Sequence, residues 1–208
     1  MFPAGVPHLE NEPLAKHTSY RIGGPARIFA LPETQEHLRE IGVYLKSSQE
    51  PYFVLGNGSN VLAPDEGFSG LVICTSELKP FLEFQEMQVR ASAGVLNSRL
   101  LRACAERGLG GLDELSGVPG NLGGAVFMNA GTAKGWIEER LVQVEAFDLA
   151  SQKERMIPKN ELRYSYREQH FLHPHEIVWA ATLQLQEEPA EEIKKRLAEA
   201  IRKRKLAQ

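Results

Sequence analysis

The chain has 208 residues, 42% hydrophobic and 25% charged, which suffices for one globular unit or two small lobes sharing a core and excludes a disordered segment. Its formal net charge of −3 gives no bulk attraction for nucleic acid or anionic lipid, so a polyanion would need a local cationic or amide-lined site. No run of 18 apolar residues occurs and "MFPAGVPHLENEP" lacks the blocks of a secretion signal, which predicts a soluble, cytoplasmic protein without membrane or nucleic-acid partners.

In chain order, "RIFAL" (27–31) reads as a strand and "TQEHLREIGVYLKS" (34–47) as a helix. Thr34 is its N-cap, and Leu38, Ile41, Tyr44 and Leu45 share one face. "YFVL" (52–55) and "LVIC" (71–74) follow as strands, an order like that of a βαβ unit. A composition shift near residues 75–87 marks a candidate lobe boundary. "QVRASAG" (88–94) reads as a strand, and "NSRLLRACAERG" as a helix capped by Asn97 and stopped by Gly108. "VQVEAFD" (142–148) and "IVWAATLQLQ" (177–186), the latter alternating over much of its length, read as further strands. The chain closes on a helix after Pro189, with acids first, bases last and Ile193, Leu197, Ala200 and Ile201 on one stripe. Cys74 and Cys104 stand apart in apolar surroundings and read as buried thiols.

Two glycine-rich loops stand out, "GNGSN" (56–60) directly after a strand and "SGVPGNLGGAVFMNAG" (116–131). Glycine permits positive φ and close approach of backbone amides, and consecutive inward amides bind phosphate without a lysine. The Walker spacing is absent, and the dinucleotide fingerprint fails because Val61 stands where its third glycine belongs. Ordinary tight turns are the plain alternative, but Asn57, Ser59, Asn60 and Asn129 add donors and acceptors that turns alone do not require. "HFLHPH" (170–175) lacks acidic partners at ligand spacing and reads as an exposed connector, "RKRK" (202–205) as a solvated helix end, and Asp113 and Glu114 as loop charges. No GxSxG elbow supports a serine hydrolase.

"HTSYRIGGPARIFALPET", "VLGNGSNVL", "ELSGVPGNLGGAVFMNAG" and "ELRYSYR" occur in the order and approximate spacing of the UDP-N-acetylenolpyruvoylglucosamine reductases, which the chain resembles from about residue 13 to 208. The resemblance implies an α+β, two-lobed FAD-binding fold of the vanillyl-alcohol-oxidase type, with lobes at 13–75 and 76–188 and a terminal helix at 189–208. It assigns Gly56, Asn57, Gly58, Ser59 and Asn60, flanked by Val61, to the pyrophosphate loop. Ser116, Gly117, Pro119, Gly120, Gly123, Gly124, Asn129 and Gly131 form a second wall, for which Val126, Phe127 and Met128 would be the apolar backing. It further implies non-covalent FAD and NADPH as hydride donor. The substrate is then a UDP-sugar enolpyruvate, whose enolpyruvyl ether is reduced to a lactyl ether.

Under the resemblance, Arg167 of "YSYR" faces the substrate carboxylate, with Tyr166 beside it. The sequence departs from the family at Gln169, which stands in place of a serine, and at His17, in place of an asparagine. The family's protonating serine and its glutamate follow the basic helix and have no counterpart before Gln208. The chain is therefore expected to bind FAD with one of three catalytic groups present, and a flavin-binding protein without turnover is the alternative.

Overall fold

Why the chain forms its two larger sheets follows from its apolar runs, and the computed structural model describes residues 1–207, apart from the side chains of Arg204, Lys205 and Ala207. The elements of the first half are β1 (His8–Pro13), β2 (Pro25–Ala30), α1 (Gln35–Ser48), β3 (Tyr52–Leu55) and β4 (Phe68–Cys74). The strands lie in the order β1-β2-β4-β3. The expected βαβ crossover is present, with β4 inserted between β2 and β3 and parallel to both. As a parallel strand covered on both faces, β4 is buried without alternation from Gly70 to Cys74. In α1, Thr34 Oγ1 accepts from the His37 N–H at 3.2 Å, as its type predicts. The helix presses close to the second half of the chain, since a Cβ at Gly42 would lie 2.2 Å from the Leu149 carbonyl oxygen.

A single 3-10 turn at Thr75–Glu77 leads into the remainder: β5 (Leu82–Gln85), β6 (Gln88–Ser92), α2 (Asn97–Ala105), β7 (Leu109–Gly110), α3 (Leu122–Phe127), β8 (Gly131–Thr132), β9 (Gly135–Trp136), β10 (Leu141–Asp148), β11 (Lys153–Pro158), β12 (Tyr164–Ser165), β13 (Glu168–Gln169), β14 (Glu176–Gln184), β15 (Gln186–Glu187) and α4 (Ala190–Ala207). Five of these strands form an antiparallel sheet, β11-β10-β14-β6-β5. Arg90 on β6 reaches across β14 to both carboxylate oxygens of buried Glu145 on β10, at 2.6 and 2.7 Å. Arg155 holds Glu176 in the same bidentate way, at 2.6 Å to each oxygen. Both acids are thereby buried as paired charges rather than bare ones.

Several expectations are corrected. Asn97 does not cap α2: Leu96 occupies the cap with no side-chain bond, and Asn97 is 1% exposed with no partner among the described residues for its side-chain nitrogen or oxygen. The helix ends at Ala105, before Gly108, whose φ of +67° turns the chain afterwards. The second glycine loop contains a helical turn, α3, and of the three apolar residues expected to lie behind it Val126 is buried, Met128 half-buried and Phe127 49% exposed. Glu114 is no loop charge but 2% exposed in a 3-10 turn.

In α4, Ile193 is buried whereas Ile201 on the same stripe is exposed, so only the first half of the stripe reaches the core. Arg202 and Lys203 of the basic run are exposed as expected. The side chains of Arg204 and Lys205, and the whole of Gln208, lie outside the described residues. Cys74 and Cys104 are buried and unbridged, and burial pushes the Cys104 thiol up to about 12. The three histidines of 170–175 are exposed, and no metal-capable group of side chains exists among the described residues. Among them, too, no helix is long and apolar enough to cross a membrane.

Candidate functional site

The carboxyl ends of parallel strands are where ligands meet open sheets, and β3 ends there at Leu55, with Gly56 next. Gly58 has φ +61°, and a Cβ on it would lie 1.8 Å from the His17 carbonyl oxygen. The Ser19 N–H donates to the Gly58 carbonyl at 3.0 Å, so the first glycine loop is stitched to the segment before β2. Ser59 Oγ then donates to the Pro119 carbonyl at 3.3 Å, which joins the two glycine loops. Gly120, at φ +109°, sits against this contact, its Cβ position 2.8 Å from Ser59 Oγ. Its carbonyl accepts from the Asn97 N–H at 2.9 Å, anchoring the second loop to α2.

The polar groups around this junction are incompletely used. Asn121 Nδ2 donates to the Gly94 carbonyl at 2.7 Å, while its buried Oδ1 lies 3.9 Å from the Cβ position of Gly56 and has no partner among the described residues. Ser116 Oγ is buried and likewise without a partner among them. Gly124, on the exposed face of α3, has nothing within 4 Å of its Cβ position. Hollows flank Asn57 on both sides. One, of about 250 Å3, includes His17, Ser19, Gly56 and Ser76, and the other, of about 620 Å3, runs between the Gly117–Gly120 loop, α2 and α4. The larger is walled by Leu101, Leu115, Val118 and Leu197 and falls within the size range of ligand sites.

Not every glycine of the motifs points into this space. Gly123 is required by Ala93, whose Cβ would be 2.8 Å away, and Gly131 by the Gly135 carbonyl at 2.3 Å. Gly117 takes φ +78° in the loop, and Asn57 and Asn60 are exposed. Val61 packs beside the small apolar cluster of Leu14, Phe29 and Leu55. Asn129 is buried at φ +43°, and its Oδ1 accepts from the Glu138 N–H at 3.4 Å, which holds the corner between α3 and β9.

Tyr166 and Arg167 form the tip of the β12–β13 hairpin, with Arg167 at φ +62°. Tyr164 pins this hairpin to α3 by donating its hydroxyl to the Val126 carbonyl at 2.9 Å, and burial raises its pKa. Gln169 Oε1 accepts from the Phe171 and Leu172 N–H groups at 3.0 and 2.8 Å, closing the following loop. The Arg167 guanidinium donates to the Gly131 carbonyl at 3.2 Å and lies over the Trp136 ring at 4.9 Å. Among the described residues, no carboxylate comes within ion-pair distance of Arg167. Tyr166 is 78% exposed and meets Trp136 edge-on at 5.6 Å.

Sequence reasoning passed over Trp136 and Asn121. Trp136 lies on a two-residue strand with no periodic signal, and Asn121 stands within a quoted motif. Buried Glu114 is pushed up to about 7: burial and the charges of Glu139 and Asp113 outweigh its own backbone hydrogen bond and the charge of Arg140, 3.9 Å away. In neighbouring Asp113 the balance is opposite, because hydrogen bonds and charge from Arg196 and Lys134 overcome burial and hold it below the usual carboxylate range.

Two lobes of mixed sheet and helix meeting at paired glycine loops define an FAD-binding domain of the vanillyl-alcohol-oxidase type, and a family profile described as "FAD binding domain" matches residues 26–152. Cholesterol oxidase shares the fold, with a TM-score of 0.63 at 17% identity over 89% of this chain and 39% of that one. Within this class the chain belongs to the UDP-N-acetylenolpyruvoylglucosamine reductase family.

The crystal structure of that reductase from Thermus caldophilus matches with a TM-score of 0.76 at 36% identity, over 96% of this chain and 69% of the other. The reductase of Moorella thermoacetica is 36% identical over 96% of this chain and 65% of its own length. That of Trichlorobacter lovleyi is 37% identical over 93% and 63%. The chain thus spans just under two thirds of these two relatives.

Proposed function

We propose that the chain binds FAD non-covalently between lobes at residues 13–75 and 76–188, with α4 (Ala190–Ala207) alongside. It then serves the NADPH-linked reduction of a UDP-sugar enolpyruvate in the cytoplasm. The observation that carries this is the joining of the two glycine loops at Ser59 and Pro119, beside an open Gly124 face and unpartnered Asn121 and Ser116 oxygens. These residues fit a flat, phosphate-bearing group: backbone and short polar side chains would receive phosphate, and the apolar walls of the larger hollow, which α3 does not line, would receive the other of its two ring systems.

When bound, FAD would supply hydride transfer between NADPH and the enol ether, the balancing proton being taken from solvent. The chain's own residues do the rest. Gly56 to Asn60, with Gly117, Pro119 and Gly120, would hold the pyrophosphate. Gly124 would leave room for the flavin ring where a side chain would intrude. Arg167 offers a guanidinium whose charge no carboxylate of the described residues neutralises. It binds the substrate carboxylate and stabilises negative charge as it grows toward that group during reduction. Tyr166 lies beside the same group.

Anaerobic NADPH should bleach the flavin band of the FAD-loaded protein, and UDP-N-acetylglucosamine enolpyruvate should restore it. Arg167→Ala should keep FAD and lose the substrate-dependent recovery. Loss of FAD in that variant would place Arg167 in the cofactor site or the fold and overturn its assigned role. Bleaching with no recovery in the unaltered chain would support flavin binding without turnover.

A further inference from the structure

We infer that Trp136 is a positioning residue that aims the Arg167 guanidinium at the carboxylate of the substrate, an inference resting on the proposed role of Arg167. An exposed arginine at a hairpin tip has many rotamers, and freezing them on binding would offset much of the gain from an ion pair. Here three contacts restrict it. The guanidinium carbon is 4.9 Å from the Trp136 ring centre and 5.8 Å from that of Tyr166, and one terminal N–H is taken by the Gly131 carbonyl at 3.2 Å. A ring face and a carbonyl steady the group without cancelling its charge, unlike the carboxylates that hold Arg90, Arg155 and Arg196.

The local backbone is set for the same contact. Arg167 sits at φ +62°, a region costly for a branched or bulky side chain and sparsely used by others, and such outliers persist where surrounding contacts hold them. Gly131 faces the ring from the opposite strand, where a Cβ would lie 2.7 Å from Trp136 Cε3. Trp136 is fixed in turn by Glu139, whose Oε1 accepts from the Trp136 N–H at 3.1 Å. Tyr166 packs edge-on against the indole, with the rings at 83°, which closes the other side of the cluster.

The test titrates FAD-loaded Trp136→Leu, Trp136→Phe and unaltered protein with UDP-N-acetylglucosamine enolpyruvate, and separately with UDP-N-acetylglucosamine, which lacks the carboxylate. Calorimetry reads the affinities. Trp136→Leu should weaken the carboxylated ligand about fivefold and leave the other unchanged, while Trp136→Phe keeps most of the preference.

In the cofactor-free protein, the Arg167 Nε–H resonance, assigned by its loss in Arg167→Lys, should lie upfield under the ring and move back in Trp136→Leu. The Arg90 and Arg155 resonances should stay in place, which reports an intact fold. Equal affinity of Trp136→Leu and unaltered protein for the carboxylated ligand, or an unmoved Arg167 resonance, overturns the inference. If unaltered protein with FAD bound fails to distinguish the two ligands, the role of Arg167 itself falls, and the inference with it.

Discussion

A methyl group added at Gly58 would lie 1.8 Å from the His17 carbonyl oxygen, on a residue already at φ +61°, so neither strand nor loop can yield cheaply. At Gly124 the same methyl group meets nothing within 4 Å. Gly58→Ala should therefore destabilise the protein by about 2 kcal/mol or more in urea titration, whatever the cofactor. Gly124→Ala should stabilise the apoprotein by up to about 1 kcal/mol, because alanine is the better helix former. If the open face of α3 takes the flavin, it should also weaken FAD at least tenfold in fluorescence titration. Unchanged FAD affinity in Gly124→Ala would remove α3 from the site.

Glu114 carries a pH dependence whose sign differs from that of the paired acids. Its folded pKa is raised from 4.5 to about 7, so the folded state binds the extra proton and the stability that Glu114 contributes is fully present below 4.5. That contribution, roughly 3 kcal/mol, should be lost as the pH rises to about 7. Asp113 and Glu176, held low, act in the opposite sense and only in acid, losing their contribution as the pH falls through their depressed values. Glu114→Gln, neutral throughout, should flatten the fall between pH 5 and 7 in urea titrations. An identical fall in both proteins would contradict the assignment.

Among the elements, those legible in the sequence are the ones that bury an apolar face of their own: α1 by its cap and its Leu38 and Ile41, β4 by its unbroken apolar run, and the first half of α4 by its stripe, whereas β14, expected to alternate up to residue 186, is buried almost throughout on both faces and ends at Gln184. β1 was illegible because it is made by a partner: "HLENEP" has one leucine, 42% exposed, and becomes a strand by pairing His8 to Pro13 with β2. Asn97 misled because the preference of asparagine for caps was applied one residue late, where burial and the Gly120 contact set the helix start instead.

The same dependence on partners governs α4, which is held near its middle by Arg196, bonded to Asp113 at 3.1 Å and Glu188 at 2.5 Å. Beyond it Ile201 borders the larger hollow and is half exposed. Arg196→Ala should lower stability by about 1 kcal/mol and speed amide exchange in the second half of α4 several-fold. Unaltered exchange there would mean that apolar packing alone holds the helix.

At the scale of the molecule, the first half supplies a loop at the end of a parallel strand, the second supplies a glycine-rich turn anchored to α2, and Ser59 joins them. The motifs were legible because glycine, asparagine and serine clusters are local. Which glycine serves packing and which faces the cleft was not, since that depends on His17, Ala93 and Gly135 passing nearby in space. The burial of Glu114, too, is decided by the surrounding fold rather than by its acidic neighbour.

The most direct test of a cofactor site at this junction is titration of the purified apoprotein with FAD, followed by flavin fluorescence and the visible band, and repeated with Ser59→Ala and Gly124→Ala. The structure predicts one FAD per chain, retained through gel filtration, with weaker binding in both variants. Absence of a bound flavin band after reconstitution of the folded protein would contradict it.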